Sequence, residues 1–242
     1  MAALVWDTSG DRWYETGLDR GVVYPMDTKG EYSEGFAWNG LTAFTKSPSG
    51  AEASKIYADN TTYAVLRSVE EFAATIEAYT YPPEFALLDG TKSPIAGLHV
   101  GQQARGTFGF SCRTKMGNDT ASEDDDAYKL HLVYGLTASP SEKSYSTTND
   151  SPEAITFSWE CESVPVTVTK MDGVDSTSEL VIQSNEIDAT KLKALEAILY
   201  GSASEAARLP LPDEVFTILG GSASEAASQS EAKSTSTKSV TA

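Results

Sequence analysis

Four segments of the chain alternate apolar and polar side chains with a period of two residues. They are FAATIEAYTY (72–81), TFGFSCRTK (107–115), YKLHLVYGL (128–136) and ITFSWECES (155–163). Successive side chains of a β-strand point to opposite faces, so each segment has one apolar and one polar face. The pattern predicts a mainly β protein whose antiparallel sheet buries one side and leaves the other solvated.

One segment has the pattern of a helix instead. In DATKLKALEAILYG, Asp188 is suited to be the N-cap and Gly201 to end the helix. The sequence therefore predicts one helix over about residues 188–200, flanking the sheet. We divide the chain into an N-terminal arm (1–35), a β domain (36–219) and a disordered tail rich in Ser, Ala and Glu (220–242).

Two turn signals predict β-hairpins in the first third of the chain. FAWNGLTAF carries Asn39-Gly40 between apolar residues, and this dipeptide is the strongest short hairpin signal. KIYADNTTYAVLR suggests a second hairpin that turns near Asp59-Asn60.

The charge of the chain limits its partners. With 35 acidic and 18 basic residues the net charge is −17, which argues against wrapping nucleic acid, since such binding depends on Lys and Arg. We expect no signal peptide and no membrane insertion, because no stretch approaches about 20 apolar residues. Cys112 and Cys161 are interpreted as buried free thiols, with a disulfide as the alternative.

The sequence offers no catalytic, cofactor-binding or metal-binding motif. Its only histidines are His99 and His131, neither at ligand spacing, and His131 is expected to be exposed on the polar face of a strand. Glu160 and Glu162 form a carboxylate pair, but any polar strand face places two such residues together. We therefore predict that the protein is not an enzyme and needs no cofactor. A hydrolase that uses such an acidic pair is an alternative, besides the two non-enzymatic functions described below.

Many short strings follow one another in a characteristic order. They are WDTSGDRWYETGLDRGVVYP, WNGLTAF, SPSGAE, IYADN, FAATIEAYTYPPEF, GQQARGTFGFSCRT, GND, YKLHLVYG, ASPSEKSY, NDSPEAITFSWE and ARLPLPDEV. In order and spacing the chain resembles the major tail protein, or tail tube protein, of bacteriophages with long, non-contractile tails. The resemblance covers about residues 5–219.

The resemblance implies a fold, an assembly and a place in the virion. The fold would be a β-sandwich or half-barrel of the tail tube type. Six copies would form a ring whose inner sheets join into one barrel, and stacked rings would form the tube that conducts the genome into the host. The implied partners are further copies of the chain, a tape-measure protein, a tail terminator and tail-tip proteins. The protein would be made in the host cytoplasm and end in the virion tail, where DNA passes without specific binding.

Two sets of residues are candidates for this role. Trp6, Trp13 and Tyr14 lie in an aromatic, turn-rich N-terminal segment, and we expect them to pack between subunits. A conduit for a polyanion should lack a dense field of cations. We therefore predict that Glu77, Glu160 and Glu162 face the lumen, with the outer surface of the tube as the alternative.

Three cations complicate that assignment. Arg113, Lys115 and Lys129 occupy polar strand faces, where they either line the same wall or pair with those glutamates across subunits.

A different class of function remains open. An acidic β-sandwich with exposed aromatic residues is also typical of a carbohydrate-binding or adhesin-like module, and Trp6, Trp13 and Trp38 would then form the binding platform.

Overall fold

A computed structural model describes residues 4–120, 127–140, 143–145, 147, 150 and 153–221 of the 242-residue chain. The fold is mainly β with few helices, and its largest unit is an antiparallel sheet, as the alternating segments predicted. This architecture fits the predicted β-sandwich class.

The chain forms strands of very different length. They are β1 (Trp13–Pro25), β2 (Phe36–Trp38), β3 (Leu41–Lys46), β4 (Ser49–Gly50), β5 (Ala53–Ala58), β6 (Thr61–Arg67), β7 (Glu70–Glu71), β8 (Ala73–Ala78), β9 (Lys92–Ile95), β10 (Leu98–Val100), β11 (Thr107–Asn118), β12 (Tyr128–Ala138), β13 (Phe157–Ser163), β14 (Val166–Thr167), β15 (Ser176–Thr177) and β16 (Glu179–Gln183). The helices are α1 (Phe85–Leu88), α2 (Ala189–Tyr200) and α3 (Pro212–Ile218).

Eight strands make the main sheet, in the order β2-β1-β11-β12-β13-β8-β3, with β16 also paired to β12. The sheet curls so that β3 returns to β1. A Cβ atom at Gly21 of β1 would lie only 2.0 Å from Leu41 Cδ1 of β3. The two strands do not pair. A cleft therefore opens between residues 15–18 of β1 and residues 42–46 of β3.

The sheet forks at Gly135. One side of β12 pairs with β16 over Lys129–Val133 and with β13 over Leu136–Ala138. Gly135 lies between these ladders with a φ of +64°, a conformation that favours glycine. Its carbonyl accepts a hydrogen bond from the Val164 amide at 3.0 Å, which fixes where the two branches of the sheet separate.

An inner core lies inside the curled sheet. Its centre is a cluster of aromatic rings at edge-to-face or tilted angles: Trp38, Phe85, Phe108, Phe110 and Trp159. The Trp159 ring centroid lies 5.2 Å from that of Trp38 and 5.4 Å from that of Phe85. Because Phe85 belongs to α1, this short helix closes one end of the inner core.

An outer core lies on the opposite face of the same central strands. Side chains of β1, β12 and β16 pack there against α2 and α3; the buried members include Tyr24, Leu130, Leu132, Tyr134, Ile182, Leu192, Leu195, Leu199 and Val215. The hydroxyls of Tyr24 and Tyr134 donate to the carbonyls of Leu199 and Pro210, each at 2.9 Å. The expectation of one solvated face is therefore wrong for β11 and β12. The outer core covers the polar-face residue Ser111 of β11, and the polar-face residues His131 and Val133 of β12 are buried on the inner side of the sheet.

Helix α2 begins and ends as the sequence predicted. The Asp188 carboxylate accepts the backbone N–H groups of Thr190 and Lys191 at 2.9 and 3.2 Å, which lowers the pKa of Asp188. Gly201 follows the last turn with a φ of +76°. The segment PLPDEVFTIL, whose structure the sequence left open, forms α3 with Pro212 at its start.

Of the two predicted hairpins one forms and one does not. β5 and β6 pair around a turn at Asp59-Asn60, as expected. The strands on either side of Asn39-Gly40 also form, but β2 pairs with β1 and β3 pairs with β8. The turn signal was strong, yet burial of Trp38 in the inner core separates the two strands.

The N-terminal segment is shorter than the predicted arm. β1 begins at Trp13, pairs with β11 from Trp13 to Pro25, and buries Val22, Val23 and Tyr24. Residues 13–25 are thus part of the main sheet, and the described residues before it are 4–12. The predicted tail lies outside the described residues from residue 222 onward.

Both cysteines are buried and free, as predicted. Burial raises the pKa of the Cys112 and Cys161 thiols to about 12. At neutral pH both are protonated and face the inner core, so they behave as small apolar side chains.

Replacing Gly135 with alanine should destabilise the fork. A Cβ atom there would meet the Val164 carbonyl oxygen at 2.0 Å, so the clash adds to the strain of a positive φ. We expect Gly135→Ala to lower the free energy of unfolding by about 3 kcal/mol or more, measured by chemical denaturation.

Gly173→Ala is the matched control. Gly173 has a φ of +73°, but a Cβ atom added there would have no other atom within 4 Å, so only the strain, about 1 kcal/mol, should appear. If both variants lost the same free energy of unfolding, the close contact between Gly135 and Val164 would not be needed for stability, which would contradict this account of the fork.

Candidate functional site

The three predicted lumen glutamates share one face of the sheet. In the ladder between β8 and β13, Glu77 lies opposite Ser158, Thr75 opposite Glu160, and Ala73 opposite Glu162. Glu160 and Glu162 are exposed and Glu77 is half-buried. We call this surface, formed by β3, β8 and β13, the acidic face.

Small side chains surround those glutamates. β3 adds Ala43 and Thr45 opposite Glu77 and Thr75, and β12 adds Thr137 opposite Glu162. Trp159, Cys161 and Ile76 point the other way, into the inner core. The acidic face is thus shallow, hydroxyl-rich and negative.

The three cations named with the glutamates do not lie on the acidic face. Arg113 binds the Asp19 carboxylate with two hydrogen bonds of 2.7 and 2.8 Å and covers the Tyr128 ring. Lys129 pairs with Glu15. Hydrogen bonding to these cations lowers the pKa of both Asp19 and Glu15. Lys115 is an exposed residue of β11, on a different strand from the glutamates.

The N-terminal segment ends in an exposed apolar tip. Leu4, Val5 and Trp6 are each at least 75% exposed. The residues after them are held to the end of β11, where the Gly10 amide donates to Asp119 Oδ1 at 2.9 Å. The segment therefore leaves the sheet in a defined direction while its tip remains uncovered.

The other two predicted arm residues belong to β1 itself. Trp13 and Tyr14 are about half exposed. Tyr14 lies over Gly117, since a Cβ atom at Gly117 would come within 2.4 Å of its ring. Both residues line a cleft of about 420 Å³ with Gln183, Asn185 and others.

The β5–β6 hairpin is a candidate site that the sequence did not reveal. It projects beyond β3 and β8 and exposes large apolar residues on both of its faces: Ile56, Tyr57, Tyr63, Val65 and Leu66. A two-stranded hairpin is marginally stable alone, and it has no buried residue. The sequence signal that could have revealed this site is that neither face of β5 and β6 is wholly polar.

A second exposed apolar surface lies at the opposite end of the same two strands. The β5–β6 hairpin continues from Lys46 and Ala73, whereas α1 and the β9–β10 hairpin follow Ala78 at the other end. Exposed there are Leu87, Ile95, Leu98 and Val100. We call these four residues the α1–β10 patch. The molecule thus exposes apolar residues beyond both ends of the β3–β8 pair.

The aromatic platform of the binding-module alternative cannot form. Trp38 lies on β2, an edge strand of the main sheet, but its side chain is buried in the inner core and donates its indole N–H to the Thr80 carbonyl at 2.8 Å. Trp6 and Trp13 remain exposed.

Reactive side chains meet on the β9–β10 hairpin. Ser93 Oγ lies 2.8 Å from His99 Nδ1, but both residues are exposed. This pair lacks the water-excluded setting in which a serine nucleophile is activated. Within the described ranges, no three His, Cys, Asp or Glu side chains are grouped to hold a metal ion, and no helix is long and apolar enough to span a bilayer.

No protein-family model matches the chain, and no curated protein is significantly similar to it. The function is therefore inferred from the acidic face, the exposed apolar surfaces and the resemblance to tail tube proteins.

Proposed function

We propose that this chain is the repeating subunit of a phage tail tube. Copies form hexameric rings, the rings stack into a tube, and the tube conducts the genome into the host. The observation that carries the proposal is the pair of different apolar surfaces at opposite ends of the subunit, the β5–β6 hairpin and the α1–β10 patch.

Different surfaces at opposite ends favour an open assembly. When one surface binds an identical copy of itself, a closed dimer results and no further copy can add. When two unlike surfaces bind each other, every added copy presents a new end, and the assembly grows as a ring or a helix. Exposed apolar area of this kind also marks an interaction site in a folded protein.

Charge does not oppose such contacts at the hairpin. Residues 53–67 carry Lys55 and Arg67 against Asp59, a net charge of +1 in a chain with a net charge of −17, although Glu52, Glu70 and Glu71 flank them. The hairpin itself is thus less acidic than the chain as a whole. The N-terminal tip at Leu4, Val5 and Trp6 is a third uncovered element, and we assign it to contacts between subunits as well.

The acidic face is proposed to line the lumen. A wall of small polar side chains and carboxylates repels phosphates and gives a moving DNA strand few places to bind. Arg113 and Lys129 are neutralised by Asp19 and Glu15 within the subunit, so they offer phosphates little free charge. In this role the sheet is a half-barrel of the tail tube type.

The remaining features of the proposal follow from the tube. Growth requires a tail tip to start it, a tape-measure protein to set its length and a terminator to end it. The protein acts in the virion after synthesis in the host cytoplasm, without catalysis or a cofactor.

A binding module remains the second candidate. The cleft beside Trp13 and Tyr14 combines aromatic rings with the amides of Gln183 and Asn185, and carbohydrate sites use such groups. A monodisperse monomer that binds glycans would favour this function over a tube.

Polar substitutions on the β5–β6 hairpin should weaken assembly. In Tyr57→Ser/Tyr63→Ser, two exposed aromatic rings disappear without touching either core. We expect unchanged denaturation but a rise of at least about tenfold in the protein concentration needed for tubes in negative-stain images, because each ring buried at a contact contributes more than 1 kcal/mol.

Tyr145→Ser is the control for general loss of surface aromatics, since Tyr145 is 73% exposed and lies on neither apolar surface. Tubes formed equally well by the hairpin variant would contradict the proposal.

Lysines on the acidic face should impair delivery but spare assembly. In Glu77→Lys/Glu160→Lys/Glu162→Lys, cations line the wall that DNA passes, and each phosphate contact retards the strand. We expect normal tails with slower genome ejection, followed by dye binding to released DNA.

The control is Glu31→Lys/Glu34→Lys/Glu186→Lys, which makes the same charge change at exposed residues away from the acidic face. Equal ejection by the two variants, or a tube map with the three glutamates outside, would overturn the lumen assignment.

A further inference from the structure

A group of polar side chains connects the end of β3 to β11, β12 and β16 across the cleft beside β1. Lys46, the last residue of β3, pairs with the Glu179 carboxylate of β16, and its Nζ lies 3.1 Å from His131 Nδ1 of β12. His131 Nε2 in turn lies 3.0 Å from the Thr114 hydroxyl of β11. We call Lys46, His131 and Glu179 the Lys46 cluster.

His131 is buried, in contrast to the expected exposed position. Its side chain is 8% exposed, because β16 pairs with β12 and brings Glu179 to within 3.4 Å of Nδ1. The Thr114 hydroxyl lies within hydrogen-bonding distance of the other ring nitrogen, Nε2. Every polar atom of the ring thus has a partner, and the ring is held in one orientation.

Glu179 is ionised in this environment. Burial raises its pKa, but hydrogen bonds from His131 and Lys46 outweigh burial and leave the pKa below its usual value. An ionised carboxylate that is only 18% exposed depends on its partner charge, since an unpaired charge at such a site is costly. The carboxylate therefore holds Lys46 in place.

Lys46 lies at the end of β3 from which the chain runs toward the β5–β6 hairpin. Only the two-residue strands β4 and β7, which pair with each other, stand between the hairpin and the β3–β8 pair, and β3 pairs with β8 alone. The other edge of β3 faces a cleft of about 520 Å³ lined by residues of β1, with Thr114 and His131. The Lys46 side chain crosses this open side and contacts the branch of the sheet formed by β12 and β16.

We propose that the Lys46 cluster is a positioning site that fixes the direction of the β5–β6 hairpin. Without it, the end of β3 is held on one side only, and the hairpin swings with the strand. A hairpin fixed in advance loses less conformational entropy when it binds a second copy, so assembly is faster and tighter. The proposal rests on the proposed function for its purpose, but the direction of the hairpin is a property of the isolated subunit.

The test measures that direction without assembly. Spin labels are placed at the hairpin tip and on the exposed side of α2 with Asn60→Cys and Lys193→Cys. The native thiols do not compete, because burial raises their pKa to about 12. Pulsed electron resonance then gives the distribution of tip-to-helix distances in subunits dilute enough to remain single.

The label distances should depend on charge at residue 46. We expect a narrow distribution for the labelled parent and one about twofold broader for Lys46→Met, as for a segment released from its contacts. Lys46→Arg or the exchange Lys46→Glu/Glu179→Lys should restore the narrow distribution, because either keeps an ion pair across the cleft. Lys29→Met, at an exposed lysine far from the hairpin, should change nothing.

The outcomes distinguish failure of this proposal from failure of the proposed tube function. A narrow distribution in Lys46→Met overturns it, as does a broad one that neither Lys46→Arg nor the exchange restores. If the protein forms no tubes at all, the proposed function fails while the distance result stands. If tubes form, their assembly rate should fall in Lys46→Met and recover in whichever variant recovers the narrow distribution.

Discussion

Burial of both faces of the central strands is the constraint on which the rest of the structure depends. β1, β11 and β12 pack an aromatic inner core on one side and α2 and α3 on the other. Over residues 22–24, 108–112 and 130–136, where both faces are covered, these strands expose almost no side-chain surface to a partner, and their backbone groups pair within the sheet. Binding surfaces are therefore left to the edges and ends: the β3–β8–β13 wall, the two projecting hairpins and the N-terminal tip.

The same constraint explains how a chain with a net charge of −17 distributes its few cations. Arg113, Lys129 and Lys46 each pair with a carboxylate where strands meet, so they connect the sheet instead of serving as free charge. The acidic face keeps its carboxylates at the surface. In the proposed tube, a wall that repels phosphates and ends that bind further copies would both result from one packing arrangement.

Much of this arrangement can be predicted from the sequence, for identifiable reasons. Period-two alternation located the long strands, and caps at Asp188 and Gly201 located α2. Alternation also put Glu77, Glu160 and Glu162 on one face. The pairing of β2 with β1 and the burial of His131 and Trp38 were not predictable, because each depends on contacts between residues far apart in the chain. The β5–β6 hairpin was predicted as a structure but not as a binding element. Its candidacy as a binding element depends on the exposure of its apolar residues, and the tertiary structure decides that exposure.

The central claim is that a rigid, doubly packed sheet carries projections that only another copy covers. Hydrogen exchange measured by mass spectrometry, before and after assembly, tests it most directly, because exchange follows local opening. The account predicts slow exchange in β11 and β12 in both states. Residues 53–67, by contrast, should exchange rapidly in the free subunit and become strongly protected in the assembly. Protection of that hairpin in the single subunit, or no gain in protection on assembly, would contradict the account.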